Sequence, residues 1–223
     1  MRGLEYLFKS WLRCKWCVFI TVVLFVGLLV VCCVGREELG SEDYLMSMAF
    51  LPIVPYCVLV MATTVGFVSI NGCRLIRSSP IAKELYTRSV PMFIIGLTLG
   101  SLVIAVGVFF VVVMAHGGSA AYLSDALIFM AIGSGMNIIG YSLLSRMMFG
   151  GIIGVYVTMF PYVGIILMLG EDIKHNGFGL PVWVSALIFA GAVIVSSAIS
   201  FIVCGIYFRK LNFKTPATAY TAK

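Results

Sequence analysis

From Tyr44 to Cys73 the chain runs thirty residues without a charged side chain. A run that long restricts the fold more than any other feature. About 20 apolar residues, rising ~1.5 Å each, cross the ~30 Å hydrocarbon layer of a bilayer as a helix. Further apolar runs follow at 91–115, 125–145 (Asp125 at its edge), 147–170 and 181–208, and one precedes at 16–34. Only 11% of the 223 residues are charged, against about 25% in a soluble domain. Charge this sparse cannot cover a wetted surface. The expectation is an all-α integral membrane protein with six transmembrane helices. The 44–73 run exceeds one straight span and holds Pro52 and Pro55 in FLPIVPY, so a kink or a short interfacial opening is expected there. The first run, Cys17–Val34, is longer than the roughly 7–15 residues of a signal-peptide core. No small-x-small site follows it, so a retained span is expected.

Orientation is read from Lys and Arg, which favour the cytoplasmic side. With a cytoplasmic N-terminus, thirteen of the fifteen Lys and Arg fall inside and only Arg36 and Lys174 outside. The acids divide the other way, with Glu5 and Glu84 inside and the remaining seven outside. Both termini are thus expected in the cytoplasm. The chain divides into an N-terminal helix (1–15), a transmembrane domain (16–208) with a cytoplasmic loop at 74–90, and a cytoplasmic tail (209–223). The net charge of +6 is explained by topology and anionic lipid headgroups, and gives no reason to invoke nucleic acid. Trp16, Tyr44, Tyr122, Trp183 and Tyr207 fall near expected span ends, where amphipathic rings settle.

Two polar stretches stand out from this background. In the first fifteen residues, Leu4, Leu7, Phe8, Trp11 and Leu12 recur at helical spacing, with Arg2, Glu5, Lys9 and Arg13 largely on other faces. This predicts an amphipathic helix lying in the inner membrane surface and running into the first span. The second stretch, RLIRSSPIAKELYTRSVP (74–91), carries four Lys or Arg and two prolines. It is either a plain basic loop or a docking place for a soluble partner. Ser79 can cap a helix, Pro80 suits its first position, and Ile81 and Leu85 share a face.

Chemistry-bearing motifs are scarce. There is no phosphate-binding G-x-x-x-x-G-K-[ST], no HExxH and no GxSxG, and His116 and His175 lie in different external loops. The seven cysteines sit in or beside apolar runs. Cys14 and Cys17 form a lone CKWC, short of the four ligands of a structural zinc site. Asn137 in GSGMN is the most polar mid-span residue, with an interhelical hydrogen bond preferred over a substrate contact. Gly96 and Gly100, Gly150 and Gly154, and Ala192, Ser196 and Ser200 allow close helix approach. Pro161 in MFPYVG should kink the fifth span and free the Val157 carbonyl.

An inner amphipathic helix, six spans and a principal cytoplasmic loop between spans two and three resemble the ABC-2 type permease, the membrane subunit of a class of ATP-binding-cassette transporters. SSPIAKELYTRSVPMFIIGLTLGSLVI (78–104) looks like that family's loop and third span, and IYFRKLNF (206–213) is similar to its usual ending. The resemblance implies that 1–15 is an elbow helix. It also implies that Pro80–Arg88 is a coupling helix presenting Pro80, Ile81, Lys83, Glu84, Leu85 and Arg88 to a separate ATPase subunit. A second permease copy, as homo- or heterodimer, would complete the unit, together with membrane lipids. ATP and Mg would sit on the partner, with no cofactor or metal on this chain and no catalysis by it. The implied cargo is an amphiphilic substrate (a membrane-active peptide, lipid or antibiotic) exported across a cell membrane, specifically a bacterial cytoplasmic one. A non-transporting immunity or scaffold protein is the alternative, with a secondary carrier behind it for want of intramembrane charge. Many family members insert a re-entrant helical hairpin between spans five and six, for which Glu171–Leu180 is short.

Overall fold

Without water to bond exposed backbone groups, an apolar run in a bilayer satisfies its N–H and C=O groups internally as a helix. The computed structural model describes residues 2–33, 52–72, 76, 79–115, 120–147, 149–176 and 178–210, and among these it is helical with no strand. Arg74, Arg77, the start of the 44–73 run and the tail from 211 onward lie outside the described residues.

Helix α1 is Arg2–Arg13, α2 is Lys15–Cys33 and α3 is Ile53–Asn71. Helix α4 is continuous through Ala82–Glu84, a π-helical turn at Leu85–Ser89, and Val90–Ala115. Helix α5 is Ala120–Leu144. Helix α6 runs through Gly150–Gly154, a second π-helical turn at Val155–Met159, and Phe160–Asn176. Helix α7 is Val182–Lys210. Four of these segments are long and apolar enough to cross a membrane: Ala82–Val112, Tyr122–Leu144, Gly150–Met168 and Val182–Phe208. The pair Gly3–Arg13 and Lys15–Gly27, bent by 83°, makes a fifth when taken as one span. The described side chains of α3 give a shorter apolar stretch, Val58–Asn71. Apolar helices of this length place the chain in a membrane.

Helix α5 is the hub. Its span window is 67% buried, against 17% for α7, which lies along α5 and turns most of its surface outward. Small polar residues stitch this pair together. Ser124 and Ser185 share a hydrogen bond at 2.7 Å, and Ser142 and Ser200 pair eighteen and fifteen residues further along their helices. Both series ascend together, so α5 and α7 run parallel. The Asp125 carboxylate accepts the Phe178 N–H at 3.0 Å, fixing the connection that leads into α7.

Helix α6 packs on α5 and α3 through its glycines. A Cβ on Gly154 would lie 2.5 Å from the Tyr141 ring, and one on Gly150 would strike the Leu144 carbonyl. A Cβ on Gly151 would meet the Thr64 backbone N at 2.4 Å. The Gly150–Gly154 pattern therefore serves packing within this chain. Helix α6 extends to Asn176 and α7 begins at Val182, so no helical hairpin stands between them among the described residues.

Both π-helical turns end two residues before a proline, at Pro91 and Pro161. Proline has no N–H to donate, and its ring crowds the carbonyl four residues back. A widened turn relieves that crowding without ending the helix. At the first turn the Val90 N–H reaches back five residues to the Leu85 carbonyl. The helix passes through Pro91 without a break.

Candidate functional site

Helix α4 begins with the segment singled out as Pro80–Arg88, and the structure divides its residues by side. Pro80, Ile81, Lys83 and Arg88 are exposed, and Glu84 is half-buried. Ala82, Leu85, Tyr86 and Ser89 are buried. Leu85, expected on the partner face, is 2% exposed and belongs to the core. It does share a helical face with Ile81, whose carbonyl accepts its N–H at 2.9 Å. Ile81 sits one turn closer to the helix end, however, and is 41% exposed. The segment expected as a short helix leading into the third span forms the opening turns of α4. Ser79 does not cap it: the Ser79 hydroxyl donates back to the Ile76 carbonyl at 2.7 Å, and the helix start has no side-chain cap.

Three elements hold the buried side. From α1, Gly3 lies so close that a Cβ there would fall 2.5 Å from Ser89 Oγ and 3.1 Å from Leu85 Cδ1. Helix α7 contacts the π-helical turn. From within that turn, the Tyr86 hydroxyl donates to the Ile70 carbonyl at 3.1 Å and lies 3.2 Å from Asn71 Oδ1. The Asn71 amide continues the chain, donating to the Ser145 carbonyl at 2.9 Å and the Met147 carbonyl at 3.4 Å. Tyr86 and Asn71 thereby join the start of α4, the end of α3 and the α5–α6 junction. At the same end, Arg146 lies over the Tyr207 ring at 5.1 Å from its centroid. Buried hydrogen bonds of this kind contribute roughly 1 kcal/mol each. Their larger effect is geometric, because displacing the exposed rim shifts a set of bonded backbone carbonyls.

Helix α1 turns its stripe toward the protein. Leu7 is fully buried, Leu4, Phe8 and Trp11 pack against the core, and Phe8 meets Phe93 edge to face at 4.9 Å. Leu12, expected on the same face, is 56% exposed. Glu5 and Lys9 form an exposed ion pair one turn apart, a contribution of about 0.5 kcal/mol at most. At the elbow between α1 and α2, Cys14 and Cys17 are free thiols with their sulfurs 2.7 Å apart. Among the described residues, no group of three or more His, Cys, Asp or Glu is placed to hold a metal ion.

Asn137 departs from expectation. It is 1% exposed, and among the described residues neither its Nδ2 nor its Oδ1 has a hydrogen-bond partner, so no interhelical bond of the expected kind is seen there. Pro161 is exposed on α6 and follows the wide turn. The carbonyl captured near it is that of Thr158, which accepts the Tyr56 hydroxyl at 3.1 Å.

Tyr86 and Asn71 were not singled out from sequence. A tyrosine amid a basic loop and an asparagine at a span end both look like ordinary interface residues. The available signal was weak: two hydrogen-bonding side chains where an uncharged run meets a charged one. No family model matches the chain, and neither a curated protein nor a solved structure matches it.

Proposed function

We propose that the chain is the permease subunit of an ATP-binding-cassette exporter of the ABC-2 type. It crosses the membrane six times, α2 and α3 forming the first two spans, with both termini in the cytoplasm. Helix α1 is the elbow at the inner surface. A separate ATPase subunit binds ATP and Mg, a second permease copy completes the pathway, and the cargo is amphiphilic, with a membrane-active peptide preferred. The chain itself performs no covalent chemistry.

One observation carries this reading. The basic start of α4 is exposed on one side, at Pro80, Ile81, Lys83 and Arg88, and tied into the bundle on the other through Tyr86. A plain loop has no need of such an anchor. A docking segment that must move helices requires one. ATP binding would press the rim, and the Tyr86–Asn71 contacts would carry the displacement to α3 and the α5–α6 junction. The partner shifts the balance between two permease conformations only by the difference in its affinity for them.

The test is co-purification from the native membrane. An ATP-binding polypeptide carrying a phosphate-binding loop should accompany the wild-type chain and be lost from the double variant Ile81→Asp, Lys83→Glu. Recovery of the chain without any ATPase, together with unchanged export or resistance in the double variant, favours the non-transporting immunity or scaffold reading and ends this one.

A further inference from the structure

Helices α1 and α2 meet at a single residue. Cys14 lies outside both, and the chain turns there by 83°. The joint is bonded on each side. The Cys14 N–H donates back to the Trp11 carbonyl, and the Cys14 carbonyl accepts the Val18 N–H, both at 3.0 Å. Cys14 thus opens α2, and Cys17 follows in its first turn. The Cys14 thiol donates to Cys17 Sγ at 2.7 Å.

The bend is what lets the sulfurs meet. In an unbroken helix, side chains three residues apart have Cβ atoms about 5–6 Å apart. A disulfide requires roughly 3.5–4.5 Å between them. A Cys14–Cys17 disulfide therefore fits the bent elbow and opposes its straightening into one continuous helix. Both cysteines are half-buried, so a small molecule can reach them. Arg13 and Lys15 flank Cys14 and are exposed. Two cations there draw in an anionic co-reactant. Among the described residues no third ligand-type side chain joins the pair, so thiol exchange suits it better than metal binding.

We propose that Cys14 and Cys17 form a reversible dithiol–disulfide site that locks the elbow, with an anionic low-molecular-weight disulfide such as oxidised glutathione as co-reactant. One cysteine thiolate attacks a sulfur of the co-reactant, forming a mixed disulfide and releasing one thiolate. The neighbouring cysteine thiolate then attacks the protein sulfur of that mixed disulfide. The Cys14–Cys17 bond forms and the second thiolate leaves. The cysteines give up two electrons and two protons, and the co-reactant departs as two thiols. The lock acts on α1, which the elbow carries. Leu7 of α1 is buried, Phe8 meets Phe93, and Gly3 lies against Leu85 and Ser89 at the start of α4. With the bond closed, α1 is held in that seat. This inference does not rest on the transport reading.

The experiment takes the full chain in detergent, reduces it, incubates it with oxidised glutathione, blocks the remaining thiols and maps residues 14–17 by mass spectrometry. The wild-type chain should show a Cys14–Cys17 disulfide that dithiothreitol reverses. Cys17→Ser should stop at a glutathione adduct on Cys14. Amide hydrogen exchange over 14–18 should slow roughly tenfold when the wild type is oxidised, and should not change when Cys17→Ser is treated alike. Thiols that stay free, a glutathione adduct that persists on the wild type, or a disulfide between two copies overturns the site. A disulfide that leaves exchange unchanged overturns the lock. Should Cys17→Ser fail to fold, Cys14→Ser takes its place, stopping at an adduct on Cys17, and equal slowing there also overturns the lock.

Discussion

Residues 85–91 and 155–161 use the same backbone device in different surroundings. Each is a five-residue π-helical turn, one further residue and a proline, with a tyrosine five positions before the proline. In α4 that tyrosine, Tyr86, is buried and bonds outward to α3. In α6 the equivalent Tyr156 is 61% exposed and stacks on Phe160. There the tie to α3 comes from the opposite partner, Tyr56, whose hydroxyl seeks the Thr158 carbonyl. Both turns are thus bonded to α3, once as donor and once as acceptor. The surroundings differ in stiffness. At the α4 turn Gly3 lies close to the Ser89 and Leu85 side chains, whereas ahead of the α6 turn Gly150 and Gly151 face backbone of α5 and α3, and Gly154 faces the Tyr141 ring. Side chains can yield by a rotamer change, but packed backbone cannot. By this contrast the α4 turn is the more compliant of the two.

Substitutions at the glycines should separate the two turns most. Gly151→Val, whose Cβ would fall 2.4 Å from the Thr64 backbone N, should cost about 3 kcal/mol and sharply lower the melting temperature in detergent. Gly3→Val, pressing on Ser89 and Leu85 side chains, should cost about 1 kcal/mol. Equal losses would break the contrast between stiff and compliant turns. Next in size are the tyrosines. Tyr86→Phe and Tyr56→Phe should each cost about 1 kcal/mol. Amide hydrogen exchange should then rise around 85–90 in the first variant and around 155–160 in the second, with neither affecting the other turn. The prolines should matter least. Pro91→Ala and Pro161→Ala each restore a donor to a turn that neighbours already hold, and both should stay within about 1 kcal/mol of wild type by thermal melting.

Uncharged runs made the helices legible, because burial in a bilayer leaves no alternative that satisfies the backbone. Leu4, Leu7, Phe8 and Trp11 were legible as one face of α1 by their spacing, although that face packs on protein rather than only on lipid. The π-helical turns were not, since one lies in the basic stretch before the 91–115 run and the other within an apolar run, and neither setting marks a widened turn. A proline two residues past each turn is their only local trace. Leu85 was misplaced because helical spacing pairs it with Ile81 without saying which of the two lies beyond the end of the bundle. At Asn137, polarity in a span predicts the need for a partner without naming it, and none is found among the described residues.

On the permease proposal, the start of α4 offers Ile81, Lys83 and Arg88 to an ATPase while Tyr86 and Leu85 hold the bundle. Site-directed crosslinking in native membranes tests it directly, with a short thiol-reactive reagent at Lys83→Cys and at Leu85→Cys in a background lacking the other cysteines. An ATP-binding polypeptide should be captured by Lys83→Cys and none by Leu85→Cys. Capture from neither position, or from Leu85→Cys alone, would contradict it.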